Sequence, residues 1–199
     1  MTGLPYLIRV VVPTLELRRP KVPVRGMDLA VNVEAVGSTV TRFQPGDEVF
    51  GWTDGDSYAE YACAPEDHSA PKPSSLSVAQ AAAVPISGFA ALQALPDVGQ
   101  VQAGQEVLVI GAAAGGVGGV GSFAVQLAKA FGAQVTGVCS TAQVELVRSI
   151  GADGVVDYTR EDVTDGSRHW DLIVDTAGHR SLSQLRRPSP PKGTGDRRQ

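Results

Sequence analysis

Only two cysteines, Cys63 and Cys139, occur in the 199 residues of the chain. Two thiols make no disulfide framework, and their scarcity fits a reducing cytoplasm. No apolar run is long enough to cross a bilayer. The opening MTGLPYLIRVVVPTLELRRP carries a short, interrupted apolar run and does not read as a signal peptide. Positive charge gains no excess: 17 Lys and Arg against 21 Asp and Glu leave a formal charge of −4. That balance gives no electrostatic case for nucleic acid or an anionic membrane as partner. No serine sits in Gly-x-Ser-x-Gly, which removes that hydrolase signature. Cys63 and His68 are near in sequence, but one pair makes no tetrahedral metal site. His169 and His179 read as residues flanking a strand and a helix, and Asp47–Glu48 as charge beside a turn.

Glycine, by contrast, is concentrated. The run GAAAGGVGGVG, residues 111–121, holds six glycines in eleven positions. Upstream, 105–110 is a short apolar run of the kind found in a buried parallel strand. Downstream, Val120, Phe123, Ala124, Leu127, Ala128 and Phe131 recur at helical spacing, and Gly132 follows where a helix cap is expected. Strand, bare loop and helix in that order predict a dinucleotide site. Glycines permit the turn and close approach of backbone amides, and the helix N-terminus favours phosphate. Two registers fit: Ala112, Gly115 and Gly118, or Gly115, Gly118 and Gly121. The second lies nearer the helical pattern and is preferred, with Val120 inside it. A P-loop is excluded because Val117 stands where lysine is required.

Two regions and a tail follow from the pattern. Residues 1–80 read as β-rich, with strands in MDLAVNVEAVG, DEVFG and YAEYACAP and a turn at Pro45-Gly46-Asp47. In the last of these strands, Tyr58 and Tyr61 face opposite ways, one core and one exposed. From 81 to 187 the chain is α/β. An Ala-rich helical stretch broken at Pro85 precedes strands at 105–110, 134–139, 154–158 and 171–175, in order 3-2-1-4 of a parallel sheet. Ser140-x-x-Gln143 fits a capping box for the helix before Gly151. Residues 188–199, rich in proline and without aliphatic or aromatic side chains, read as a disordered tail. After the second Rossmann strand stands Cys139-Ser140-Thr141, where an NAD-preferring site places an acid. The Ser140 and Thr141 hydroxyls suit a 2′-phosphate, so a modest preference for NADPH is expected, with NADH possible.

Several stretches together resemble the zinc-less quinone oxidoreductase branch of the medium-chain dehydrogenase/reductases. They are GMDLAVNVEAVG, RFQPGDEVFG, YAEYACAPED, AAAVPISGFAALQAL, VLVIGAAAGGVG, FAVQLAKAFGAQVTGVCS and VELVRSIGADGVVDYTRED. The resemblance implies a partial GroES-like catalytic domain before a partial Rossmann domain, since family members begin earlier and run on well beyond Thr194. It implies NADPH as cofactor and hydride transfer to a quinone, enone or carbonyl substrate. It also implies a possible homo-oligomer, with no nucleic acid or membrane partner. Tyr158 would cover the adenosine side, and Asp175 to Gly178, including Ala177 and Gly178, would lie near the nicotinamide ribose. Gly26-Met27-Asp28 stands where zinc-dependent relatives carry Gly-His-Glu, so no metal is expected. No side chain is singled out as a catalytic acid. Ala90 replaces a common Thr, Val31 replaces a common Gly, and the glycine loop is a few residues longer than usual. Weak or absent turnover is therefore expected of this chain. The rivals are a nucleotide-binding module without turnover and an interaction protein without cofactor.

Overall fold

The computed structural model describes residues 24–113, 118–163, 165, 167–178 and 180–185. The Cα framework divides into two compact units that meet at Ile86 and Ser87. The expected tail at 188–199 lies outside the described residues.

The first unit is built on an antiparallel meander of β1 (Asp28–Asn32), β2 (Glu48–Trp52) and β3 (Ser69–Pro71). Leu29 faces Gly51 and Val31 faces Val49 across β1 and β2, while Gly51 faces Ser69 across β2 and β3. Leu29 and Val49 are its buried apolar strand side chains. Gly51 is required by β3: a Cβ there would stand 2.2 Å from the His68 carbonyl oxygen. The predicted turn forms as a type II turn. Asp47 N–H donates to the Gln44 carbonyl, Pro45 and Gly46 are central, and Gly46 has φ +96°. Helix α1 (Val78–Ala82) opens on a capping box in which Ser77 and Gln80 exchange side-chain and backbone bonds.

The predicted strand at Tyr58–Pro65 does not form. Its alternation suits β structure, but no strand among the described residues pairs with it. It is held by single bonds, such as Tyr58 N–H to the Arg25 carbonyl and the Thr53 hydroxyl to the Cys63 carbonyl. Tyr58 and Tyr61 are both exposed, so neither enters a core.

Helix α2 (Pro85–Leu92) begins at the predicted break and runs into a π-helical stretch, Gln93–Val98. The second unit carries a parallel sheet of β4 (Glu106–Ile110), β5 (Gln134–Cys139), β6 (Gly154–Asp157) and β7 (Leu172–Asp175), in spatial order β6-β5-β4-β7. That is the expected 3-2-1-4 order. Strand β4 explains why this unit is layered. Val107 and Val109 enter one buried cluster with Ala124, Val125 and Ala128 of α3 (Gly118–Ala130). Leu108 and Ile110 enter a second cluster with Val138, Val156, Val163 and Trp170. A strand buried on both faces must be continuously apolar, as VLVI is.

Both crossover helices end on glycine. Gly132 has φ +83°, with Ala133 N–H to the Ala128 carbonyl and Gly132 N–H to that of Lys129. Gly151 repeats the device after α4 (Val144–Ser149), with φ +105° and bonds back to Val147 and Arg148. These are Schellman caps, which only a residue at ease with positive φ can make cheaply. The capping box predicted at Ser140 does not form. A 3-10 turn, Thr141–Gln143, intervenes before α4, and the Ser140 side chain makes no cap bond. A short helix, α5 (Leu182–Leu185), follows β7.

Candidate functional site

Sheet order reverses between β4 and β7. The chain moves outward from β4 through β5 to β6, then returns to the other side of β4. In such sheets the crevice beyond the carboxyl ends, at the reversal, is where ligands bind. The residues leaving β4 are laced to both neighbouring strands. Gly111 and Ala112 both donate backbone N–H to the Val138 carbonyl of β5, each at 3.1 Å. On the other side the Thr176 hydroxyl reaches the Ile110 carbonyl at 3.0 Å and the Gly111 carbonyl at 3.3 Å. Gly111 has φ +84°, and a Cβ on it would stand 2.7 Å from that hydroxyl and 3.3 Å from Ala177. Gly111 is therefore the turn glycine at the end of β4.

Helix α3 returns close to this turn. A Cβ on Gly121 would stand 2.1 Å from the Gly111 carbonyl oxygen and 3.0 Å from the Ala112 Cα. Backbone on backbone at that distance admits only glycine, the close-packing role of the last glycine in a dinucleotide fingerprint. Gly118 begins α3, and Gly119 is exposed in its first turn. Their amides belong to the first turn, which lacks helical acceptors and carries the positive end of the dipole. Val120 is half-buried against the apolar cluster beneath. Gly115, the remaining member of the preferred register, lies outside the described residues.

At β7 the Asp175 carboxylate accepts backbone N–H from Ala177 and Gly178, both at 3.0 Å. Gly178 has φ +65° and open space where a Cβ would stand. Gly121, Gly111 and Ala177 are thus brought to one crevice. Ser140, Thr141 and Tyr158 gather instead at the carboxyl ends of β5 and β6, where Tyr158 N–H donates to the Cys139 carbonyl. Tyr158 is exposed.

That second group contains a residue the sequence reading passed over. Asp157, the last residue of β6, is buried and accepts three hydrogen bonds. They come from the Thr141 hydroxyl at 2.5 Å, the Thr159 hydroxyl at 2.7 Å and Thr159 N–H at 3.0 Å. Arg160 Nε lies 3.7 Å away. The Thr141 and Thr159 hydroxyls, then the Thr159 amide and Arg160, hold this carboxyl below the usual carboxylate range despite partial desolvation. The Cys139 thiol moves the other way, raised first by burial and then by the Asp157 charge. Asp-x-Thr is a recognisable side-chain turn, and it was the available signal for this cluster.

In the first unit, Asp28 accepts the Ile86 backbone N–H at 2.7 Å, and Met27 is half exposed. Among the described residues no three His, Cys, Asp or Glu side chains converge as a metal-binding group.

The chain matches two family models, the alcohol dehydrogenase GroES-like domain over residues 8–74 and the zinc-binding dehydrogenase model over residues 119–194. It is 41% identical over 170 residues to the 2-methylene-furan-3-one reductase of Solanum lycopersicum, spanning 80% of this chain and 42% of that protein. It is 39% identical over 170 residues to a chloroplastic NADPH-dependent alkenal/one oxidoreductase of Arabidopsis thaliana, with the same coverage of each. A quinone oxidoreductase of Pseudomonas syringae superposes with a TM-score of 0.79 at 31% identity, covering 92% of this chain and 57% of its own. The chain spans about half the length of such relatives. The paired family models, the reversal in strand order and the glycine contacts agree: the chain belongs to the medium-chain dehydrogenase/reductase superfamily, beside its quinone and enone oxidoreductases.

Proposed function

We propose that the chain belongs to an NADPH-dependent oxidoreductase that transfers hydride to a quinone, enone or carbonyl compound without a metal. One observation carries the reading. The crevice at the reversal in strand order is walled by the β7 turn and by the Gly111 turn and the start of α3, whose backbones approach too closely for side chains. The residues present fit a dinucleotide. Gly118 and Gly119 offer bare amides at the start of α3 to a pyrophosphate. Thr176 fixes the end of β4 against the β7 turn, and Ala177 and Gly178 stand at the ribose of the nicotinamide half. Ser140, Thr141 and Tyr158 stand at the adenosine end.

The nicotinamide, when bound, supplies the hydride. The chain's own part is to hold the pyrophosphate at α3, to orient the two riboses from β5–β6 and from β7, and to keep the sheet ends rigid. Names of relatives support this class: one is a furanone reductase and another an NADPH-dependent alkenal/one oxidoreductase. The substrate is a small molecule, and NADH is a weaker alternative cofactor. The two cysteines suit a reducing compartment such as the cytoplasm, and one relative is chloroplastic.

Titration with NADPH, followed by NADPH oxidation in the presence of a quinone and an enone panel, tests the reading. Saturable binding with weak turnover is expected of this chain. Binding without any turnover reduces the chain to a nucleotide-binding module, and no binding overturns the proposal. Gly118→Val is expected to abolish binding while circular dichroism stays native; unchanged affinity removes the loop from the site.

A further inference from the structure

Resting on the dinucleotide reading above, we infer that Asp157 is the selectivity-determining residue that holds back preference for NADPH, because it occupies the groups a 2′-phosphate would recruit. An NAD-preferring sheet places its acid after the second strand, beside the adenosine ribose. Here β5 ends in Cys139-Ser140-Thr141, without an acid. The neighbouring strand provides one. Cys139 and Asp157 are register partners across β5 and β6, and the Asp157 carboxylate reaches back to the Thr141 hydroxyl.

Three groups at this end of the sheet suit a phosphate: the hydroxyls of Thr141 and Thr159 and the guanidinium of Arg160. All three are turned toward Asp157. Thr141 and Thr159 donate to it, their hydroxyl oxygens lie 3.2 Å apart, and Arg160 is its ion-pair partner. A hydroxyl has one proton to donate, so a Thr141 that donates to Asp157 cannot also donate to a phosphate. Asp157 is buried, whereas Thr141, Thr159 and Arg160 are exposed. The three groups face solvent, and the carboxylate beneath them competes for their protons and charge. A ribose bearing only hydroxyls meets no such competition.

Asp157→Asn tests this with nearly constant shape. The amide nitrogen can donate to Thr141, whose own proton then becomes available, and Arg160 loses its counter-charge. Full-length protein is titrated with NADPH and NADH, and with 2′,5′-ADP and 5′-AMP, which differ only in the 2′-phosphate. Asp157→Asn is expected to tighten NADPH and 2′,5′-ADP relative to NADH and 5′-AMP by about fivefold or more, as expected for removing one nearby like charge. Arg160→Gln, at an exposed position with little to lose in packing, is expected to move the ratio the other way by leaving Asp157 uncompensated. A merely structural Asp157 would weaken all four ligands alike, and that result overturns the inference. So does a fall in the NADPH to NADH affinity ratio for Asp157→Asn, or an unchanged ratio in both variants. If the unmodified protein binds neither dinucleotide, the dinucleotide reading and this inference fall together. If it binds both and only the ratio fails to move, the role of Asp157 alone is lost.

Discussion

The two units use strands differently. In the first, the buried apolar side chains among the described residues are Leu29, Val49, Ala81 and Pro85, and polar bonds hold parts of the chain between strands. Glu66 receives the Thr41 and Arg42 amides, and Arg42 reaches back to the Glu66 and Ser69 carbonyls. In the second, β4 is buried on both faces and two apolar clusters sandwich the sheet. The lesson is one of sequence economy. A meander half open to water tolerates irregular connections, whereas a sheet covered on both faces demands long apolar words and glycine wherever backbones meet. Those demands make the second unit the easier one to read.

The sharpest break of that contrast is at Gly121. Gly121→Val places a side chain into the Gly111 backbone, and neither partner is a flexible side-chain end. The expected loss is about 3 kcal/mol or more, seen as a lowered midpoint of urea unfolding together with lost dinucleotide binding. A soluble variant of native stability would show that α3 and β4 do not depend on this contact. Next comes Leu108→Ala, which empties a fully buried position. It should cost about 2–5 kcal/mol, with faster amide exchange through β4, β5 and β7. Leu29→Ala is the matched change in the first unit, and its faster exchange should concentrate in β1–β3. Exchange that rises equally everywhere after either change would erase the distinction between the units.

Asp153 gives a smaller and pH-dependent effect. Its carboxylate accepts the Val135 backbone N–H at 2.7 Å and Lys129 Nζ at 2.8 Å. The Lys129 bond first, then the Val135 amide, hold this carboxyl below the usual carboxylate range. A folded-state pKa below the unfolded one adds stability above the ordinary carboxylate pKa, and that stability fades as pH falls through the folded value. Asp153→Ala should therefore cost about 1–2 kcal/mol near neutral pH, mostly for the stranded amide because the ion pair is well exposed, and less below pH 3.8. A cost that grows on acidification would reverse the assignment. Last is Arg148→Ala. Its pair with Glu145 lies in open solvent, so thermal unfolding should shift by less than about 0.5 kcal/mol.

What could be read from the sequence tracks this contrast. The four parallel strands followed from short apolar runs alternating with helical stretches, and their order from the Rossmann pattern; Gly132 and Gly151 marked helix ends that carry Schellman caps. Tyr58–Pro65 misled because alternation describes a face and does not supply a hydrogen-bonding partner. The capping box expected at Ser140–Gln143 gives way to a 3-10 turn, and the one that forms, at Ser77–Gln80, was not singled out in the sequence. At the candidate site, the glycines announced close approach, and the structure pairs Gly121 with Gly111. Asp157 was missed because Thr141 lies 16 residues away in another loop, and only sheet register brings it to the local Asp157–Thr159 turn.

The first turn of α3 contains Gly118, Gly119 and Gly121, each about 1 kcal/mol poorer than alanine as a helix former. The far end is closed by a Schellman cap and a half-buried lysine that bonds the Ala133 carbonyl. One helix thus has a firm end facing away from the site and a thermodynamically soft end facing it. A ligand seated there must order that turn, so its heat of binding should exceed its free energy of binding, with the difference appearing as lost entropy.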